Sequence, residues 1–239
     1  MILAEGKRVD HLVAIVSALS RKGLGALVSR PTREQLRALR AWNRSVSPDR
    51  RLRVRADGRL LRLPGPLGPR HLRGLVAVLT AGTSDVPLAE ETSAILQELG
   101  IRVVRAYDVG VAGLHRLLSA LDRLEPLRPE LYIVFAGREG ALPTVVAGLV
   151  SAPVVGVPTS IGYGRGGRGE AALSAMLQSC APLAVVNIDA SVPAALFAAQ
   201  RFAERGPVPP KRRPPSRSAR RSRGRRAVRS GTSSRQKGF

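Results

Sequence analysis

The sequence predicts an α/β protein whose main part is a three-layer, doubly wound parallel sheet, preceded by a small α/β domain. Five short apolar segments between residues 74 and 189 are each followed by a segment with helical spacing of its apolar residues. Apolar runs that alternate with helices are typical of parallel strands buried on both faces. Right-handed crossovers then place the helices on both sides of the sheet.

The segment LPGPLGPR separates this regular part from the first 62 residues, because Pro and Gly interrupt helical and strand patterns alike. We therefore predict a small α/β domain over 1–62, a linker over 63–70 and the main domain over 71–207. In the small domain, apolar spacing predicts helices over 11–23 and 32–43, and strands over 26–30 and 59–63.

Five strand–helix pairs make up the predicted main domain. Each strand is a run rich in Val, Leu, Ile or Ala, and the connections contain Gly, Pro or small polar residues. The predicted strands are 74–82, 101–106, 130–137, 152–158 and 183–189, and the helices that follow them are 86–100, 110–124, 139–150, 170–179 and 192–204.

The formal net charge is +22, and much of the excess lies at the end of the chain. Residues 201–239 hold 14 Lys or Arg and one acidic residue, Glu204. Because the segment 208–239 is rich in Pro, Ser and Gly and poor in apolar residues, we predict a disordered tail. Such a tail binds nucleic acid nonspecifically by neutralising phosphates. The alternative is a solvated appendage without a specific role.

The sequence carries no sign of export or membrane insertion. Glu5 and Lys7 bring charges into the first residues, unlike in a signal peptide, and no apolar run approaches the roughly 18 residues of a membrane span. Cys180 is the only cysteine, which excludes an internal disulfide. These features predict a cytoplasmic protein that does not enter a membrane.

Loops at the strand ends are the candidate site. In doubly wound sheets, ligands bind beyond the carboxyl ends of the strands, at the point where the strand order reverses. Helices that begin just after such loops also offer free main-chain N–H groups to anions. The loops are 80–85, 106–110, 136–143, 157–169 and 187–191.

Single residues in or near these loops have more than one interpretation. Asp85 either caps a helix or belongs to the site, and His115 is either a half-buried helix residue or a functional group. Glu139 either caps a helix or acts chemically. Cys180 is either a small packing residue, the usual role of a free cysteine, or a nucleophile.

Five motifs occur here in an order that resembles the LarB family, the pyridinium-3,5-biscarboxylic acid mononucleotide synthases. They are TAGTSDVPLAEE (80–91), YDVGVAGLHRLL (107–118), EGALPTVVAGLV (139–150), VPTSIGYG (157–164) and MLQSCA (176–181). The resemblance implies a PurE/flavodoxin-like catalytic domain of the aminoimidazole ribonucleotide (AIR) carboxylase type. The chain departs from the family at ASVPAAL, which replaces a glycine-rich continuation, and in its basic tail.

The resemblance implies an activity in the biosynthesis of the nickel-pincer cofactor of lactate racemase. Nicotinic acid adenine dinucleotide is carboxylated at ring carbon 5, with carbon dioxide or bicarbonate as co-substrate, and its phosphoanhydride is hydrolysed to release AMP. A pyridinium ring is electron-poor, so a nucleophile has to add before carbon 5 attacks carbon dioxide. Cys180 is the implied nucleophile, through a transient cysteinyl-pyridine adduct, and Glu139 the implied base.

Further roles come from the same resemblance. Asp85 is implied as a catalytic residue and as a ligand of magnesium, which prefers oxygen ligands. His115 is implied as a catalytic residue that meets phosphate or the transferred carboxylate. The implied substrate-binding residues are Thr83, Ser84, Arg116, Gly137, Ser160, Gly162 and Gly164.

Arg165 and Arg168 either contact the anionic dinucleotide or are surface arginines. The resemblance also implies a homo-oligomer. PurE-type relatives form octamers, and the size of the oligomer stays open.

Two other functions stay open. One is a PurE-like AIR carboxylase, against which Cys180 and the EGALP motif argue. The other is a non-catalytic protein that binds a nucleotide or nucleic acid. An aromatic content of 3% argues against recognition of single strands by stacking.

Overall fold

The computed structural model describes residues 1–67, 72–162 and 164–203. The predicted basic tail at 208–239 and the side chain of Arg165 lie outside these residues. No helix in the described ranges is long and apolar enough to span a membrane.

A four-stranded sheet and two helices form the N-terminal part of the protein. Its elements are β1 (Ile2–Leu3), α1 (Val9–Arg21), β2 (Ala26–Ser29), α2 (Arg33–Arg44), β3 (Arg53–Arg55) and β4 (Leu60–Leu63), with the strand order β1-β2-β4-β3. Both predicted helices and both predicted strands are present. The sequence did not predict β1 and β3, because β1 has two residues and all three residues of β3 are exposed.

Gln35 holds the beginning of the chain against this sheet. Its side-chain oxygen accepts a hydrogen bond from the Thr32 main-chain N–H (2.8 Å), and the Thr32 hydroxyl oxygen accepts one from the Gln35 main-chain N–H (3.2 Å). This capping box starts α2. The side-chain amide of Gln35 also donates to the carbonyl oxygens of Ala4 and Lys7, at 2.8 Å each. The segment that carries Glu5 is therefore fixed in place.

The main sheet has five parallel strands, each followed by a helix, as predicted. Its elements are β5 (Leu75–Thr80), α3 (Val86–Glu98), β6 (Arg102–Ala106), α4 (Leu114–Leu124), β7 (Leu131–Ala136), α5 (Ala141–Leu149), β8 (Val154–Pro158), α6 (Glu170–Leu177), β9 (Ala184–Val185) and α7 (Ser191–Ala203). The strand order is β6-β5-β7-β8-β9. From the central strand β5, β6 is added on one side of the sheet, and β7, β8 and β9 are added in turn on the other side. This is the doubly wound arrangement.

Alternate residues of the central strands supply two separate cores. Val76 and Val78 of β5 pack with α3 and α7 on one face, whereas Ala77 and Leu79 pack with α4, α5 and α6 on the other. Successive side chains of a strand point to opposite faces, so a continuous apolar run fills both cores. The predicted three layers are confirmed.

Burial on both faces was predicted for all five strands, and for the two edge strands this is wrong. Arg102 and Arg105 of β6 are exposed, and β9 is reduced to two residues, of which Ala184 is exposed and Val185 is partly buried. An edge strand has a neighbour on one side only, and charged residues there protect it from pairing with other chains. The three central strands β5, β7 and β8 are buried throughout.

The N-terminal sheet shares a core with the main sheet. Leu27 and Leu60 belong to the same buried cluster as β5, α3 and α7, whereas Val28 and Leu61, their neighbours in sequence, face the cluster built with α1 and α2. Residues 1–204 form one compact unit. The small sheet therefore packs against α3 and shares a hydrophobic core with the main sheet.

Candidate active site

A cleft lies beyond the carboxyl ends of β5 and β7, the neighbouring strands at which the strand order reverses. Its volume is about 340 Å³, within the range of about 300–1,000 Å³ typical of small-molecule sites. The cleft is lined by the loop after β5, the loop before α4 and the loop after β7, with Ile161 from the loop after β8. The polar side chains in its lining are those of Thr83, Ser84, Asp85, Asp108, Arg116, Arg138 and Glu139.

Asp85 organises the loop after β5. It is 4% exposed, and its two carboxylate oxygens accept hydrogen bonds from the Gly82 main-chain N–H (2.9 Å) and the Thr159 hydroxyl (2.7 Å). Burial raises the pKa of Asp85, the two hydrogen bonds oppose this, and the charge of Asp189 adds to it. The carboxylate therefore joins the loops after β5 and β8, and it leaves Thr83 and Ser84 exposed above it.

Arg116 is the cation on the α4 side of the cleft. It forms an ion pair with Asp108, whose main-chain N–H donates to the Thr80 hydroxyl at 3.1 Å. Asp108 adopts a left-handed conformation (φ 57°), which Asp tolerates better than most residues. A guanidinium has five N–H donors. One of them donates to Asp108, so Arg116 retains further donors for an anion in the cleft.

The loop after β7 brings Glu139 to the opposite wall. Gly140, which precedes α5, has a φ of 63° and fixes the turn. A Cβ at Gly137 would lie 2.1 Å from the Ile161 carbonyl oxygen, so the backbone of the loop after β8 passes directly against this glycine. Glu139 itself is exposed to solvent in the cleft. A solvent-accessible carboxylate in this position is free to contact a ligand bound between the two loops.

Six of the predicted site residues meet in this cleft. Thr83, Ser84, Asp85, Arg116, Gly137 and Glu139 all line it. Sequence reasoning did not single out Asp108 or Arg138. The signal for Asp108 was its position in the strand-end loop 106–110, and Arg138 adjoins the EGALP motif.

Several predicted residues lie outside the lining of this cleft. His115 is exposed on α4, although its neighbour Arg116 reaches the cleft. Gly162 and Gly164 belong to the loop after β8, in which Gly164 is exposed and has a φ of 62°. Arg168 is also exposed and lines neither cavity of the site. Cys180 also lies outside this lining.

Cys180 lies at the other end of the sheet. It follows α6, which runs from the carboxyl ends of the strands to their amino ends, and it precedes β9. β9 is parallel to β8, with Ala184 beside Val155. The thiol is exposed and is neither a packing residue of the core nor a wall of the cleft. The expectation that its segment folds back over the site is wrong for a single copy of the chain.

A second cavity of about 610 Å³ adjoins the first, between the N-terminal sheet and the main sheet. Ser84 and Ile161 line both cavities. Ser160, a predicted substrate-binding residue, lines the second one, and its main-chain N–H donates to Asp189 at 2.8 Å.

A buried charge cluster beneath this second cavity joins the two sheets. Glu91 of α3 is fully buried and accepts hydrogen bonds from Arg30 (2.9 Å), Ser29 (2.5 Å) and Ser191 (2.7 Å). Arg30 also donates to the Ser191 hydroxyl and to the Asp189 carbonyl oxygen. Every polar atom of the Glu91 carboxylate thus has a partner, which a buried charge requires.

The predicted magnesium site does not fit these residues. Both oxygens of Asp85 already accept hydrogen bonds from the protein, and within the described ranges no group of three His, Cys, Asp or Glu residues is arranged to hold a metal ion. Asp85 is therefore better explained as the residue that shapes the loop.

The family model for AIR carboxylase matches residues 75–209. The chain belongs to the AIR carboxylase family. The match spans the main sheet and the three loops that line the first cleft. The N-terminal sheet, which closes the second cavity, precedes the matched residues.

The chain is also similar to individual proteins. An uncharacterized protein of Methanocaldococcus jannaschii is 37% identical over 201 residues, which is 83% of this chain and 76% of that protein. The N5-carboxyaminoimidazole ribonucleotide mutase of the same organism is 29% identical over 125 residues, 52% of this chain and 76% of the mutase. The crystal structure of Treponema denticola PurE superposes with a TM-score of 0.46 at 31% identity, covering 55% of this chain and 81% of that chain.

Proposed function

We propose that this AIR carboxylase family member carboxylates ring carbon 5 of nicotinic acid adenine dinucleotide and hydrolyses its phosphoanhydride. The supporting observation is the pair of adjoining cavities at the strand ends. The first has the size of a site for one nucleotide, and the second offers room for another. The products are pyridinium-3,5-biscarboxylic acid mononucleotide and AMP.

The proposed reaction at the pyridinium ring gives a role to Glu139 and Arg116 of the cleft. A thiolate adds to the pyridinium ring, which forms a C–S bond and turns the cationic ring into a neutral enamine. Carbon 5 then attacks carbon dioxide and the ring nitrogen regains its positive charge. Glu139 takes the proton from carbon 5, and expulsion of the thiolate restores the aromatic cation. Arg116 pairs with a phosphate or with the new carboxylate.

The thiolate in this mechanism has to come from a second copy of the chain. Cys180 of the same copy lies at the amino ends of the strands, whereas the cleft lies at their carboxyl ends. We propose a homo-oligomer in which Cys180 of one copy reaches the cleft of another. Cys180 and the apolar Leu177, which lies in the same short segment of the chain, are both exposed, and this suits a position at such an interface.

The direct test is mass spectrometry of the products. Purified protein is incubated with nicotinic acid adenine dinucleotide, ¹³C-bicarbonate and magnesium. The proposal expects labelled dicarboxylated mononucleotide and an equal amount of AMP. AMP with unlabelled nicotinic acid mononucleotide would show a hydrolase without carboxylase activity and would contradict the proposal.

A PurE-like reaction on AIR or N5-carboxyaminoimidazole ribonucleotide is the second candidate. The AIR carboxylase family model matches the part of the chain that builds the first cleft, and relatives named as a mutase or a carboxylase of this kind are 29% and 34% identical to the chain over 125 and 92 residues. A single mononucleotide also fits that cleft. The same assay with either ribonucleotide as substrate distinguishes the two functions, because only the purine reaction yields 4-carboxy-5-aminoimidazole ribonucleotide.

A further inference from the structure

The positive charge that precedes the predicted basic tail is concentrated in the N-terminal part of the chain. Residues 1–62 hold 15 Lys or Arg and five Asp or Glu, whereas residues 63–200 hold 10 and 11. The loops that line the first cleft belong to the second range, so the excess charge does not serve to form that cleft. A strongly basic surface away from the candidate active site indicates an anionic partner.

Arginines of the N-terminal part that face the main sheet are already paired. Arg30 and Arg59 lie 2.9 and 3.9 Å from the Glu91 carboxylate of α3. Glu98, at the end of α3, pairs with two further arginines of the small sheet, at 2.8 and 2.9 Å. The carboxylates of α3 therefore neutralise this side of the N-terminal part, and it is not the side that offers charge to a partner.

Four arginines of α2 are arranged differently. Arg33, Arg37, Arg40 and Arg44 follow one another at intervals of four, three and four residues, which places them along one face of the helix. All four are exposed, whereas Leu39 lies on the buried face. Among the described residues, none of these four arginines forms an ion pair with a carboxylate.

This arrangement of charges does not favour the helix itself. Like charges three or four residues apart repel each other and destabilise a helix, and a carboxylate at the same spacing would relieve the repulsion. The one acidic residue of α2 is Glu34, in its first turn. A surface that departs from local preference without a compensating contact is expected where the surface has a function.

The basic surface continues beyond the end of α2. The Asn43 side chain donates to the Leu52 carbonyl oxygen (3.1 Å) and accepts from the Leu52 main-chain N–H (2.8 Å), so the turn Pro48–Arg50 is held beside the end of the helix. Arg50 is exposed on this turn. We call the five exposed residues the arginine face: Arg33, Arg37, Arg40, Arg44 and Arg50.

The arginine face fits the phosphate backbone of a nucleic acid duplex. The distance along α2 from Arg33 to Arg44 is about 16 Å, at 1.5 Å per residue, and a duplex presents one charge per about 1.7 Å of its axis. Guanidinium groups bind phosphates through paired hydrogen bonds. Protein interfaces have an apolar centre, and recognition of single strands uses aromatic side chains, neither of which five arginines provide. We propose that the arginine face binds the backbone of duplex nucleic acid without reading its sequence.

The salt dependence of binding tests this contact. The affinity of the full chain for a labelled DNA duplex of about 20 base pairs is measured by fluorescence anisotropy over a series of salt concentrations. The variant Arg37→Gln/Arg40→Gln/Arg44→Gln removes three phosphate contacts and keeps good helix formers in α2. Because each contact contributes about 0.9 to the slope of log affinity against log salt, the slope should become shallower by about 2 to 3.

A charge-matched variant separates the arginine face from the charge of the whole chain. Arg73→Gln/Arg102→Gln/Arg123→Gln removes three exposed arginines outside the N-terminal part, and the basic tail at 208–239 is the same in every protein. This control should keep the parental slope. If the two triple variants flatten the slope equally, or if neither does, the overall charge or the tail accounts for binding and the inference is overturned. A parent that does not bind the duplex also overturns it.

Two further probes identify the kind of partner. A glutamate homopeptide represents an acidic protein, and one strand of the duplex represents unpaired nucleic acid. The parent should bind the duplex more tightly than either probe. Tighter binding of the peptide or of the single strand would overturn the inference. Thermal unfolding checks that each variant is folded, and if the α2 variant is not, Arg40→Gln replaces it, with an expected slope change of about 1.

Discussion

The guanidinium of Arg30 donates from Nε to Oε2 of the fully buried Glu91 at 2.9 Å, across 61 residues of sequence. Arg30 follows a strand of the N-terminal sheet, and Glu91 lies on the first helix of the main domain. This ion pair holds the N-terminal sheet over the strand ends and thereby forms one wall of the second cavity.

Replacing Arg30 by Ala is expected to destabilise the protein strongly. The change leaves the Glu91 carboxylate buried without its closest cation, a situation that costs about 3–5 kcal/mol. The measurement is the free energy of unfolding in urea. Arg55→Ala, which removes an exposed arginine from its pair with Glu98, is the control and should cost about 1 kcal/mol or less. Similar costs for the two variants would contradict the structural role of the Arg30–Glu91 pair.

Glu139→Gln is expected to lower turnover by about 10²–10⁴-fold, because a positioned proton transfer contributes that much. Dinucleotide binding should persist, since the amide keeps the shape of the side chain. Steady-state rates and binding are measured alongside Glu170→Gln, an exposed glutamate at the start of α6 that lines neither cavity. Near-parental turnover of Glu139→Gln would assign the base to another residue, with His115 tested next.

Cys180→Ser is expected to fold and to make no product, because a serine hydroxyl is not ionised near neutral pH and does not add to the ring. If Cys180 acts across an interface, co-expression of the Cys180→Ser and Glu139→Gln chains should restore activity. Random assembly leaves up to about a quarter of the sites with both groups intact.

The control for this complementation is each variant expressed alone. Restored activity in the mixed oligomer, with none in either parent variant, supports a thiol from a second copy. Parental activity of Cys180→Ser by itself would remove the cysteine from the mechanism.

Asp85→Asn is expected to change how stability depends on pH. Burial raises the pKa of Asp85 above its usual 3.8, so the folded protein binds this proton more tightly than the unfolded chain. The free energy of unfolding of the parent therefore falls as the pH rises from 3.8 through the folded-state pKa, and the loss persists at higher pH. Asn has no such titration, so the stability of the parent relative to the variant should decrease over this window. Urea unfolding from pH 4 to pH 7 measures it, and a difference that is constant or grows with pH would contradict the raised pKa.

Gly137→Ala is expected to destabilise the protein by about 1–3 kcal/mol, because the new Cβ overlaps well-packed neighbours. It would lie 2.1 Å from the Ile161 carbonyl oxygen and 2.8 Å from the Thr159 hydroxyl oxygen. Gly148→Ala is the matched control in the following helix, where nothing lies within 4 Å of an added Cβ. That change should stabilise by about 0.5–1 kcal/mol through helix propensity. Thermal or urea unfolding compares the two, and a tolerated Ala at 137 would mean that the two loops separate readily.

The sequence by itself determined the main sheet and the location of the first cleft. Apolar runs such as LYIVFA and helical spacing such as that in α3 are local patterns, and they report burial on both faces without knowledge of the partner strands. The rule that ligands bind where the strand order reverses then led to the loops with Thr83, Asp85 and Glu139. The two edge strands are more exposed than predicted. Their exposure depends on the lack of a neighbouring strand on one side, and the sequence of a single strand does not show whether it has a neighbour.

Only the tertiary structure decided how distant segments meet. The Arg30–Glu91 pair, the Arg116–Asp108 pair and the second cavity each join residues whose partners no local pattern specifies. Cys180 shows the same limit, because its motif MLQSCA resembles that of a catalytic cysteine, yet α6 carries it to the opposite end of the sheet. The periodicity of apolar residues indicates whether a side chain is buried. Which side chains lie close together depends on how whole helices and strands pack, and only the folded chain shows that packing.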